Sequence, residues 1–124
     1  MSNVPDDFSY TSDHEWVEMR GGTARVGITD YAQAALGDIV YVQLPKVGDA
    51  LEAGKVCGEV ESTKSVSDLF SPVTGQVSAI NENLEGSPES LNGDPYGSGW
   101  IFEVADAVLG ATLSPSEYRA AIGE

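Results

Sequence analysis

Cations are scarce in this chain. Six lysines and arginines stand against twenty aspartates and glutamates in 124 residues, a formal charge of −14 at pH 7. Such a surface repels nucleic acid and anionic membranes, both of which are bound by neutralising phosphate with basic side chains. There is one cysteine, Cys57, and one histidine, His14. A single cysteine excludes an internal disulfide. His14 has no second histidine and no cysteine at ligand spacing, which argues against a metal site. Cys57 falls inside a strand pattern and reads as a small core residue, and His14 reads as a structural residue orienting the start of the first strand. No apolar run approaches the roughly 20 residues that span a bilayer. The N-terminal MSNVPDDFSY is acidic, without the basic and apolar regions of a signal peptide or the arginines of a transit peptide, so a cytoplasmic protein is expected.

What is present is a 41% apolar composition, enough for one domain over residues 1–124 with a modest core. The acidic balance serves solubility, and it also suits steering toward enzymes with basic entrances.

Period-2 alternation dominates. Glu15 to Arg20 reads as a strand with Trp16 and Met19 facing in, Gly21-Gly22 as a hairpin turn, and Thr23 to Gly27 as the returning strand. Thr29 or Asp30 caps a short helix through Leu36 that Gly37 closes. Ile39 to Leu44 is apolar on both faces and ends at Pro45, the pattern of a central strand. Leu51 to Gly54 reads as a short strand and turn. Asn81 to Gly99 is rich in Gly, Pro, Asn and Ser and reads as a long irregular loop with at most one helical turn. Trp100, Phe102 and Val104 alternate in a last strand. Ser114-Pro115-Ser116-Glu117 is a capping box opening a helix to about Ile122. Residues 45–54 and 72–86 carry a faint internal echo, compatible with two halves related by a pseudo-twofold axis. The expected fold is all-β, two packed sheets with two short helices.

The most informative stretch is GEVESTKSVSDLFSPVTGQV, residues 58–77. Val56, Gly58 and Val60 alternate with Cys57, Glu59 and Glu61. Ser62-Thr63-Lys64-Ser65 fits a hairpin connection, and Val66 to Phe70 returns before Pro72. Lys64, one of three lysines, is thus displayed at a hairpin tip spanning about 56–70. Lys46 and Lys55 lie beside Pro45 and Gly54, outside any comparable turn.

HEWV (14–17), VGITDYAQ (26–33), LGDIVYVQLP (36–45), VES-x-KS-x-SD (60–68), SPVTGQV (71–77) and NGDPYGSGW (92–100) together resemble the glycine cleavage system H protein family, in its order and spacing and over nearly the whole chain. Ser65 and Thr63 depart from the more usual alanine and valine beside the lysine. The resemblance implies a barrel-sandwich hybrid with the lipoyl hairpin at one end, and a carrier rather than an enzyme. It implies lipoate covalently attached to Lys64. The arm would take an aminomethyl group from a pyridoxal-phosphate-dependent glycine decarboxylase (P protein) and pass it to a tetrahydrofolate-dependent aminomethyltransferase (T protein). It would then be reoxidised by the flavin enzyme dihydrolipoyl dehydrogenase (L protein), after attachment by a lipoate-attaching enzyme.

Around that lysine, Glu61 is placed on the shoulder of the turn, facing the attaching enzyme. Asp68 and Glu15 are candidates for a pocket that shelters the cationic aminomethyl group. Gly75, eleven residues after Lys64, reads as a plain turn glycine. A monomer is expected. The alternatives are a lipoyl domain or lipoate-relay protein serving 2-oxo acid dehydrogenase complexes, a biotin carrier, which would want a methionine beside Lys64, an unmodified β-sandwich binding protein, and a small hydrolase using Cys57 and His14.

Overall fold

The computed structural model describes residues 3–124. In chain order its elements are β1 (Ser9–Tyr10), β2 (Glu15–Arg20), β3 (Thr23–Ile28), α1 (Asp30–Leu36), β4 (Ile39–Gln43), β5 (Ala50–Leu51), β6 (Val56–Ser62), β7 (Val66–Phe70), β8 (Val73–Ile80), α2 (Asn83–Gly86), α3 (Ser90–Gly93), β9 (Phe102–Leu109) and α4 (Pro115–Ala121). One sheet has the order β1-β2-β3-β9-β8-β5 and the other β4-β6-β7. Every pairing is antiparallel, and neither sheet closes into a barrel.

Alternating apolar residues of both sheets meet between them: Val17, Val26 and Val104 from one, Val42, Val60 and Leu69 from the other, all buried. A second, aromatic cluster gathers Tyr10, Trp16 and Tyr118 with Phe8, Tyr96 and Trp100. Trp16 donates its Nε1–H to the Pro95 carbonyl at 2.9 Å, so the indole is buried without an orphaned donor. The echoing segments lie side by side, with Ala50 opposite Gln76 and Leu51 opposite Gly75.

Both helices form where their caps predict. Thr29 caps α1 by accepting from the Ala32 N–H, and Gly37 closes it at φ 83°. Ser114 and Glu117 form the reciprocal capping box of α4, with Pro115 in its first turn.

Four expectations need correction. The Ile39–Gln43 strand is an edge of the small sheet, not a central strand. Its apolar outer residues are exposed, so continuous apolarity there does not signal burial on both faces. Met19 is 39% exposed, because the end of the β2–β3 hairpin runs past the core. Asn81 to Gly99 holds two short helices, α2 and α3, pinned by the buried side chains of Leu84 and Leu91. Gly75 lies inside β8 rather than in a turn. A Cβ there would come within 2.5 Å of Val104 Cγ1 and 2.8 Å of the Ala105 carbonyl oxygen, so close packing against β9 requires glycine.

Candidate functional site

The β6–β7 hairpin places Lys64 at its tip, exposed. Ser62 stitches the turn. Its N–H donates to the Ser65 carbonyl at 2.8 Å. Its hydroxyl accepts from the N–H groups of Lys64 and Ser65, both at 3.1 Å, and donates to the Ser65 carbonyl at 3.2 Å. A side chain thereby makes the turn without glycine and without positive φ at Thr63 or Lys64.

The tip also leans on the turn after α1. The Thr63 N–H donates to the Asp38 carbonyl at 3.0 Å. The Lys64 stem lies across Gly37, where a Cβ would sit 3.0 Å from Lys64 Cε and 3.6 Å from Nζ. Asn92 holds this turn in place. It donates to the Gly37 carbonyl at 2.8 Å and to the Gln33 side chain at 3.0 Å, and it accepts from the Ile39 N–H at 2.9 Å. The ion pairs among the described residues engage Arg20, Arg25 and Arg119, and Lys64 is in none of them.

Glu61 is exposed opposite Val66, one rung below the tip, and Asp68 is exposed opposite Glu59, one outward rung further. Glu15 is different. It is 2% exposed at the base of the hairpin. Thr11 donates its hydroxyl to one carboxyl oxygen at 2.7 Å, and the Phe70 N–H donates to the other at 3.3 Å. Burial pushes the Glu15 carboxyl up from 4.5 to about 7, against the opposing pull of those two hydrogen bonds. It faces a cavity of about 240 Å³ whose walls include Asp13, Gly54, Phe70, Ser71 and Gly110.

Asp68 does not line that cavity. It shares a face of β7 with Phe70, which does. The structure therefore sets the two acids at successive stations along the hairpin rather than in one pocket. At 3.3 Å per residue, Asp68 lies roughly 13 Å and Phe70 roughly 20 Å from Lys64 along the strand. A lysine acylated by an eight-carbon acid reaches roughly 15 Å from its Cα. Asp68 is within easy reach of such an arm, whereas Phe70 at the cavity wall lies roughly 5 Å beyond it along the strand.

His14 sits at φ 68° in the tight turn before β2, with its Nδ1 2.9 Å from the Tyr118 hydroxyl. That hydroxyl is also 2.7 Å from Thr29 Oγ1, the α1 cap. His14 is thus structural as expected, joining β2, α1 and α4. Burial, and next the Glu15 charge, push the Cys57 thiol up to about 12, which leaves no thiolate for nucleophilic chemistry near neutral pH.

A family model described as glycine cleavage H-protein matches residues 8–114. The chain belongs to the glycine cleavage H-protein family. It is 55% identical to the glycine cleavage system H protein of Mycolicibacterium vanbaalenii over 131 aligned positions covering all of both chains. It is 56% identical to that of Beutenbergia cavernae over 118 positions, 95% of each chain. The crystal structure of the H protein from Mycobacterium marinum superposes with a TM-score of 0.93 at 46% identity, covering 98% of this chain and 100% of that one. The protein is a carrier of the glycine cleavage system and not an enzyme, and proteins of its family carry lipoate. No helix among the described residues is long and apolar enough to cross a membrane.

For an H protein, sequence reasoning overlooked the residues that support the hairpin. Thr11 carries a visible signal, a hydroxyl four residues before the acid it binds. Asn92 opens the NGDPYGSGW run, but nothing local indicates that its side chain reaches back 53 positions to Ile39. Gly37 was legible only as a helix terminator.

Proposed function

We propose that Lys64 is the residue of this H protein that carries lipoate. The observation that supports it is the exposed lysine at a side-chain-stitched hairpin tip, outside the ion pairs. Lipoate supplies the dithiolane that takes up and releases the one-carbon cargo, and the protein supplies placement. Ser62 and the Gly37–Asp38 turn hold the backbone and stem of Lys64. Glu61 faces the enzyme that attaches lipoate. Asp68 and Glu15 offer carboxylates to a cationic aminomethyl cargo, Asp68 from the open strand and Glu15 from the cavity farther along it.

On this reading residues 1–124 form one carrier domain, monomeric and cytoplasmic. It serves the glycine decarboxylase (P protein), the aminomethyltransferase (T protein) and dihydrolipoyl dehydrogenase (L protein).

Intact mass of protein made with lipoate available tests the attachment. One lipoyl adduct is expected on the parent and none on Lys64→Arg, which keeps the charge but offers no acylable amine. The variant should also lose glycine-dependent carbon dioxide exchange while keeping its melting temperature. An adduct on the variant places the arm elsewhere.

The carboxylates have their own test. One ion pair at about 4 Å is worth on the order of 4 kcal/mol before desolvation, at an effective dielectric near 20. The Asp68→Asn, Glu15→Gln double variant, once loaded, should release formaldehyde and ammonia faster than the loaded parent in the absence of partners. The difference should widen as pH rises past about 7, where the Glu15 carboxyl ionises. Equal decay rates would remove both acids from the arm's shelter.

A further inference from the structure

Val40 and Tyr41 are neighbours on β4, yet both face solvent, at 49% and 53% exposure. In a regular strand consecutive side chains point to opposite faces. Here the register shifts between Ile39, opposite Ser62, and Tyr41, opposite Glu61. β4 therefore spends one more residue than β6, and Val40 is the unpaired residue of a bulge. The flanking Ile39 and Val42 remain buried at 3%. The bulge turns two apolar side chains outward without disturbing the core.

The rung continues across the sheet. Tyr41 is opposite Glu61, and Glu61 is opposite Val66, which is 55% exposed. The next outward rung is Gln43, Glu59 and Asp68. The face is apolar at the end nearest Lys64, and acids occupy its middle and far side. Edge strands that present bare apolar side chains invite association and are usually blunted by lysine or proline. Pro45 and Lys46 lie past the other end of this strand, so neither blunts its apolar end beside the tip.

From this arrangement we infer that Val40, Tyr41 and Val66 form the docking patch for the enzyme that acylates Lys64, an enzyme presenting an apolar spot rimmed by lysine or arginine. The inference rests on the assignment of Lys64 as the acyl acceptor. Reach decides among partners. An unmodified lysine amine stands only roughly 6 Å from its Cα. For the amide to form, Nζ must attack the carbonyl of an activated acyl donor (an acyl adenylate or thioester), the leaving group departing and the amine proton passing to a base or solvent. The surface holding that donor must cover the adjoining rung, roughly 10 Å wide for three strands. Enzymes that work at the end of a loaded arm stand off by roughly 15 Å and need no contact there. The acids Glu59, Glu61 and Asp68 set the sign of the rim they meet.

The test uses a Val40→Thr, Tyr41→Gln, Val66→Thr variant, with Tyr41→Gln alone as the milder form. All three side chains are exposed, so the melting temperature should hold. Enzymatic acylation by the lipoate-attaching enzyme should fall about 30-fold in kcat/KM, mainly through KM, as for loss of central interface contacts. Chemical acetylation of Lys64 by acetic anhydride should proceed at the parental rate, showing that the amine is still presented. Parental enzymatic rates in both variants would overturn the inference, and so would two other results. One is a variant acylated normally whose loaded form fails in glycine-dependent exchange, which gives the patch to an enzyme of the loaded arm. The other is a parent that dimerises while the triple variant does not, which gives it to a second copy of the chain. Failure of the underlying assignment looks different: the parent itself would carry no adduct at Lys64.

Discussion

The two ends of the β6–β7 hairpin differ in almost every physical respect. At the tip Thr63, Lys64, Ser65 and Val66 are all exposed, and the turn is held by the Ser62 side chain, the Ser62 N–H bond to the Ser65 carbonyl and one hydrogen bond to Asp38. At the base Leu69 is 1% exposed and a buried carboxylate is wedged between Thr11 and the Phe70 backbone. The difference separates stability from chemistry. On the proposed function the tip presents its lysine to several enzymes, so it can contribute little burial, and the base fixes the hairpin's direction in its place. Glu15 is kept dry at the base, where burial makes its ionisation cost stability.

Truncating side chains at the two ends of β7 should have very different costs. Leu69→Ala removes a fully buried side chain from the intersheet core and should cost about 2–5 kcal/mol in urea unfolding. Val66→Ala, three residues nearer the tip, should stay within about 0.5 kcal/mol of the parent. Similar losses at both positions would mean that the hairpin is anchored along its whole length.

Glu15, the buried acid at the base, makes stability depend on pH. Its carboxyl is raised from 4.5 to about 7, chiefly by burial. The folded state therefore holds the proton more tightly than the unfolded state. Stability is greatest below about 4.5, falls as pH rises through the window from 4.5 to 7, and carries the full cost above it. Glu15→Gln has no such charge. Measured against the parent, its stability should climb by up to about 3 kcal/mol between pH 4.5 and 8, at 1.36 kcal/mol per unit. A difference that does not change with pH would show that burial does not raise the Glu15 carboxyl.

The same contrast governs what could be read from the sequence. The strands, both capped helices and the displayed lysine follow from local patterns: alternation, Thr29 and Ser114 with their partners, and a polar four-residue turn. The misreadings arise where a local pattern has more than one tertiary meaning. Apolar residues on both faces of Ile39–Gln43 arise from a bulged edge as well as from a central strand. Gly75 was set by the approach of Val104 and Ala105, some thirty positions later. The Gly- and Pro-rich segment from 81 to 99 was organised by two leucines whose anchoring role depends on a core assembled elsewhere. Within the site, Lys64 and Glu61 were legible because a hairpin is local. The burial of Glu15 was not, since it requires the base of β7 to meet the start of β2.

The smallest expected effect probes how little holds the tip. Ser62→Ala removes the acceptor of the Lys64 and Ser65 N–H groups and the donor to the Ser65 carbonyl. Those backbone groups lie in an exposed turn, where water replaces the lost partner, so the cost to stability should be about 1 kcal/mol or less. The consequence for function is larger than that figure implies. With the serine hydroxyl gone, the turn around Lys64 keeps the Ser62 N–H bond to the Ser65 carbonyl, the Thr63 N–H bond to Asp38 and the packing of the lysine stem on Gly37. Amide hydrogen exchange at Lys64 and Ser65 should quicken while that at Leu69 stays protected, and enzymatic acylation of Lys64 should slow several-fold as the amine samples more positions. Ser62→Thr keeps the hydroxyl and should restore both. If the alanine variant exchanges and is acylated like the parent, the tip is held by its own backbone bond and the Gly37–Asp38 turn without the serine hydroxyl, and the two ends of the hairpin differ still more.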